Sequence, residues 1–173
     1  MTVGSVTLSE INNGDNAKFV SVLGDVFENS PWLVERAAAA RPYSSRDALV
    51  AELIDVMNTA TQDEQLALIR AHPELAGKAA WAGELTDSSA REQASAGLGQ
   101  LTDEEFDLFN RLNVNYQARF GFPFIIAVRD HTKESILVAF GDRLTNEPAS
   151  EIAEAMLNIA RIVSLRIIDT VGE

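Results

Sequence analysis

His72 stands directly before Pro73 in the stretch IRAHPELAGK, Ile69 to Lys78, and is one of two histidines in 173 residues. A proline ring disfavours helical backbone at the residue before it, so this imidazole is expected at a helix end. There it can act as an acid or base near neutral pH, or it can place a positive ring beside the last helical carbonyls. Glu92, in SSAREQ, also has two readings. If Ser89 caps the helix, Glu92 completes a capping box and reaches back to a backbone amide. If Asp87 or Ser88 caps the helix instead, the turn shifts and the carboxylate is released to face a pocket beside Ser88 and Ser95.

Arg166 shares a helical face with Val163, Ile162, Ile159 and Ala155, so its guanidinium points inward. Such a group either pairs with a carboxylate in the core or waits for an anionic or carbonyl-rich ligand. The run FPFIIAV fills core, yet an extended segment among helices leaves peptide N–H and C=O groups without ladder partners. A ligand rich in amides or ureas could pair them. His131, between Asp130 and Thr132, reads as a surface residue at a helix start.

The elements that must hold these residues are helical. Phe19, Val22, Leu23, Val26 and Phe27 form one face; Leu49, Leu53, Val56 and Met57 a second; Phe106, Phe109, Leu112, Tyr116 and Phe120 a third. Thr61…Glu64, Ser89…Glu92 and Thr102…Glu105 match the capping-box pattern, Pro31 suits a first helical turn, and Gly121 a helix stop. A last helix should run from about Pro148 to about Thr170, on a stripe of Ile152, Met156, Ile159, Val163 and Ile167. Pro123 pushes Phe122 to an extended shape, and no partner strand is evident for the apolar residues beyond it. The expected fold is all-α: a single-domain multi-helix bundle over 1–173, with a short extended apolar segment near 122–128 and a disordered tail at about 1–6.

Composition narrows the function. With no cysteine, thiol nucleophiles and thiolate metal ligands are excluded, and two widely separated histidines leave only a carboxylate-rich set for a metal, so none is expected. A net charge of −12 without a Lys/Arg cluster lacks the footprint of a nucleic-acid binder. No apolar run is long enough to cross a bilayer, and no export signal opens the chain. A soluble cytoplasmic protein is expected.

FENSPWLVERA (27–37), AHPELAGK (71–78), SSAREQASAGL (88–98), NYQARFGFPFIIAVR (115–129) and SLRIIDTV (164–171), in that order, resemble one family. It is the 2-oxo-4-hydroxy-4-carboxy-5-ureidoimidazoline (OHCU) decarboxylases, which complete the conversion of urate to allantoin. The resemblance runs from about Asn16 onward. It implies an all-helical fold, a small-molecule ureidoimidazoline substrate, and neither metal nor organic cofactor. It also implies that His72 is the catalytic acid/base, Glu92 its partner, and Pro73 a contact of the substrate. Ser89, Ala90, Arg91 and Gln93 would line the pocket, and the backbone of Phe124, Ile125, Ile126, Ala127 and Val128 would bond the ring and ureido groups. Arg166 is expected to help hold the substrate.

The resemblance further implies decarboxylation to (S)-allantoin by acid/base catalysis alone. A homodimer is compatible with the sequence, which does not fix the oligomeric state. The ending TVGE is not a peroxisomal tripeptide, which also suits a cytoplasmic enzyme. Two other readings keep the fold: a helical ligand- or partner-binding module without turnover, and a lyase or hydrolase of another ureido compound.

Overall fold

Short polar side chains set most helix starts in the computed structural model, which describes residues 6–172. The expected tail at about 1–6 lies outside the described residues except for Val6, which is in a strand. Thr7 caps α1 (Leu8–Asn13), and Glu10 returns to the Thr7 amide to complete a capping box. Asp15 caps α2 (Asn16–Leu23), and Pro31 opens α3 (Pro31–Ala37). Ser45 caps α4 (Arg46–Thr59); Thr61 and Glu64 exchange bonds before α5 (Gln62–Arg70). A short α6 (Lys78–Trp81) precedes α7 (Asp87–Ser95). The Thr102–Glu105 box opens α8 (Asp103–Phe120), and Gly121 closes it at φ 76°, a left-handed position that favours glycine. After a 3₁₀ turn at Val128–Asp130 come α9 (Lys133–Arg143) and α10 (Pro148–Thr170). The expected all-α fold is thus observed, with one minimal sheet added. In it, β1 (Val6–Thr7) runs parallel to β2 (Val171–Gly172), with Val6 opposite Val171.

The chain forms two compact units, and α10 contributes residues to both. The first takes residues up to Leu68 with those from Ala160 onward. Phe19, Leu23, Leu33, Val34, Leu49, Leu53, Val163 and Ile167 are all buried in it. Its helices α2 and α3, and α3 and α4, pack together. Arg41 ties its loops by donating to the Ala38 carbonyl at 3.0 Å and the Gly14 carbonyl at 2.6 Å. Asn12 and Tyr43 exchange two bonds of 2.9 and 2.8 Å. The single face expected from Phe19 to Phe27 is corrected here: α2 stops at Leu23. Val26 and Phe27 are still buried, but through turns that donate back to Leu23 and accept from Ser30.

The second unit, Ile69–Ile159, has an aromatic core. The Tyr116 and Phe124 rings meet edge-on at 5.3 Å, and Phe124 stacks on Phe140 at 3.8 Å. This unit holds the His72 loop, α7 and the FPFIIAV segment. No helix of the described residues is long and apolar enough to cross a membrane.

Candidate active site

α5 ends at Arg70, and His72 donates its backbone N–H to the Ile69 carbonyl at 3.2 Å, a last tight turn before Pro73. The ring is therefore at a helix end, as its proline neighbour dictates. His72 is 9% exposed, and Pro73 is half-buried. Side chains from elsewhere hold the loop beyond Pro73. Gln93 accepts the Ala76 N–H at 3.0 Å and donates to the Glu74 carbonyl at 3.5 Å. Asn113 donates to the Leu75 carbonyl at 2.8 Å. Ala76 sits at φ 49°, left-handed backbone that disfavours a residue with a Cβ by roughly 1–2 kcal/mol, so these bonds fix a turn the chain would not adopt alone. Arg70 donates to the Gly121 carbonyl at 3.3 Å, tying the end of α5 to the start of FPFIIAV.

The start of α7 differs from each of the caps expected, Ser89, Asp87 or Ser88. Thr86 is the cap and its hydroxyl accepts the Ser89 N–H at 3.3 Å, so the Ser89–Glu92 capping box is not formed. Ser89 becomes a buried residue of the first turn, and Glu92 is a half-buried residue of the helix interior, released from capping. Five successive helical side chains cannot all face one side. Ser89 and Gln93 are buried, whereas Ala90 and Arg91 are exposed.

The segment from Pro123 to Ala127 runs without bend, turn or ladder, and every residue from Phe122 to Val128 is buried. It is held by side chains instead of a neighbouring strand. Arg143 donates to the Ile125 carbonyl at 2.6 Å, and Asn158 accepts the Ala127 N–H at 3.0 Å. The N–H and C=O of Ile126, between them, have no hydrogen-bond partner among the described residues. The 3₁₀ turn that ends the segment packs against α7. The His72 loop, α7 and FPFIIAV are thus tied pairwise.

Arg166 lies in the other unit. It faces inward as its stripe requires, and it donates to Glu28 at 3.1 Å and to the Asp25 carbonyl at 3.2 Å. Arg161 is exposed. His131 is half-buried, with its Nδ1 3.1 Å from the Ser135 hydroxyl. No group of three or more His, Cys, Asp or Glu side chains suited to a metal ion forms among the described residues.

The residues that sequence reasoning missed are the supports. Glu151, wholly buried, accepts from Arg143 at 2.6 Å, from Asn146 at 3.0 Å and from the Tyr116 hydroxyl. Burial pushes the Tyr116 phenol well above its ordinary value, and its bond to Glu151 adds to that. One signal was available: the inward face of Arg166, stepped back one turn beyond Ala155, reaches Glu151.

The HP loop, α7 and the FPFIIAV segment are thus tied together within one unit of an all-helical chain. The chain belongs to the OHCU decarboxylase family, whose model matches residues 12–168. It is 38% identical to 2-oxo-4-hydroxy-4-carboxy-5-ureidoimidazoline decarboxylase of Haloferax volcanii, over 94% of each chain. It is 40% identical to the uric acid degradation bifunctional protein PucL of Bacillus subtilis, over 96% of this chain and 33% of that protein. Among solved structures it is similar to an (S)-allantoin synthase, with a TM-score of 0.76 at 28% identity over 96% of this chain and 54% of the other.

Proposed function

We propose that the protein decarboxylates 2-oxo-4-hydroxy-4-carboxy-5-ureidoimidazoline to (S)-allantoin, the last step from urate, by proton transfer from its own side chains. The observation that carries the reaction is the family match, which spans the HP, REQ and FGFPF motifs together.

The chemistry asks little beyond positioning. The substrate carboxylate sits on a ring carbon that also bears a hydroxyl, beside a carbon doubly bonded to nitrogen. As the bond to the carboxylate breaks and carbon dioxide leaves, its electron pair forms a double bond between the two ring carbons. The imine pair then moves to nitrogen, which takes a proton. The enol so formed loses its hydroxyl proton as that carbon becomes a carbonyl, and the ureido-bearing carbon gains a proton. The substrate itself accepts the electrons.

His72 takes the part of the group that bonds the hydroxyl and moves its proton, and Glu92 orients the imidazole or the substrate and repels the departing carboxylate. Support for this pairing comes from Gln93: the residue after Glu92 grips the loop that His72 begins. Pro73 and Ser89 border the reactant, and the Phe124–Val128 backbone pairs with its amide edges. Proton delivery to one face yields a single enantiomer. Arg166 is assigned substrate binding by family resemblance alone. The cytoplasmic location and a homodimer belong to the same reading.

The test generates the short-lived substrate in place with upstream enzymes and follows the chiral product by circular dichroism. Wild type should accelerate its appearance; no acceleration ends the decarboxylase reading. His72→Asn should slow the step about a hundredfold to ten-thousandfold with helical content intact, the range for one positioned acid/base. Full activity in that variant rejects the role given to His72.

A further inference from the structure

The peptide unit is planar, and it points its C=O and the following N–H in opposite directions. The unit joining Ile125 to Ile126 has its C=O held by Arg143, so the Ile126 N–H is aimed the other way. The unit joining Ile126 to Ala127 has its N–H held by Asn158, so the Ile126 C=O is aimed away from Asn158. In a chain without bends between Pro123 and Ala127, these two aimed groups share one side. They form an adjacent donor and acceptor, buried and without a partner among the described residues. A cyclic urea or ureido group presents the complementary acceptor and donor along one edge.

We propose that Arg143 and Asn158 are positioning residues for the reaction, fixing both peptide planes around Ile126 so that its N–H and C=O meet an amide edge of the reactant. The inference rests on the reading of the Phe124–Val128 backbone as the substrate cradle, and it names what sets that cradle's register. Neither side chain needs to touch the substrate.

Both are themselves anchored. The Arg143 guanidinium lies 4.3 Å from the centre of the Phe124 ring and is paired with Glu151 at 2.6 Å. Asn158 donates to the Glu154 carbonyl at 3.0 Å and to its carboxylate at 3.2 Å, which turns its oxygen toward Ala127. A lysine at 143 could keep the charge opposite Glu151, but it lacks the fork that serves Glu151 and Ile125 together.

The experiment titrates the whole protein calorimetrically with (S)-allantoin and measures turnover of substrate generated in place. Asn158→Ala should weaken allantoin binding about tenfold and raise KM by a similar factor, with kcat within about twofold, since pairing at a remote edge holds substrate and transition state alike. Asn158→Asp, made together with Glu154→Gln to avoid a like-charge pair, keeps the acceptor and should restore both values to within about twofold. Arg143→Lys should repeat the Asn158→Ala pattern.

If Asn158→Ala binds and turns over like wild type, the proposal is overturned. It is equally overturned if the Asp variant is as impaired as Ala, or if kcat and thermal stability fall together without a change in KM. A wild type that neither binds allantoin nor accelerates the reaction sinks the cradle reading as well. An active wild type with a dead His72→Asn variant and an indifferent Asn158→Ala sinks only this inference.

Discussion

Glu151 near the start of α10 and Arg166 near its end are both buried, and each is half of an arginine–glutamate pair in a different unit of the chain. The pairs are built differently. Glu151 meets Arg143 at 2.6 Å and takes further bonds from Tyr116 and Asn146, while Arg143 reaches on to the Ile125 carbonyl. Arg166 meets Glu28 at 3.1 Å and uses the same nitrogen for the Asp25 carbonyl at 3.2 Å. Desolvating two charges is repaid only when geometry is close and remaining polar atoms are satisfied. The Arg143 pair anchors a segment at several points, although its Nη2 is buried without a hydrogen-bond partner among the described residues, and the Arg166–Glu28 contact is the longer of the two.

The largest effects should come from taking these pairs apart. Arg143→Met leaves Glu151 buried without its counter-charge and should lower unfolding free energy by about 3–5 kcal/mol, read from urea titrations. Arg166→Met should act in the same direction. Glu151→Leu with Arg143→Met should recover little, because the Tyr116 hydroxyl, the Asn146 amide and the Ile125 carbonyl are left without partners. A double variant as stable as wild type would show that these groups carry no such cost.

The same contrast explains what could be read from residues alone. Helical periodicity and capping located α8 and α10 well: the expected span from about Pro148 to about Thr170 is the observed one. Arg166 was legible because its stripe is otherwise apolar. Glu151, one position before the expected stripe residue Ile152, was not singled out, although it is the more deeply buried charge. Local pattern also missed the start of α7, where Thr86 displaced Ser89 and so released Glu92. The motifs pointed to His72, Gln93 and the FPFIIAV backbone, but the hold of Gln93 on the loop, and the parts of Asn113, Arg143 and Asn158, act across long stretches of chain that periodicity does not report.

A middle-sized effect separates the units by their tyrosines, of which the chain has two. Burial, with the charge of Glu52 adding, pushes Tyr43 up to about 12. Burial and the bond to Glu151 push Tyr116 up as well. Both folded values are raised above an unfolded value of about 10, so their contribution is fully present below that pH and is lost as pH rises through the folded values. Phenolate absorbance should stay flat through about pH 11 and then rise with loss of helical circular dichroism. Ionisation near pH 10 in a protein that keeps its helices would mean the hydroxyls are not enclosed as described.

The smallest effect belongs to a third pair, Arg36 with Glu64, which lies in solvent with side chains 48% and 33% exposed. Its fork is bidentate, at 2.5 and 3.2 Å, and the Thr61 N–H adds a bond of 2.9 Å. The Arg36 guanidinium first, then the Thr61 amide, hold the Glu64 carboxyl down at about 2. A depressed carboxyl contributes stability above its unfolded value of about 4.3 and loses it as pH falls toward 2. Glu64→Gln should therefore trail wild type slightly at pH 7, with the gap closing between about pH 4 and 2 and shrinking with added salt. A gap that persists unchanged at pH 2 would place the contribution in the capping geometry that glutamine retains only in part, and not in the charge.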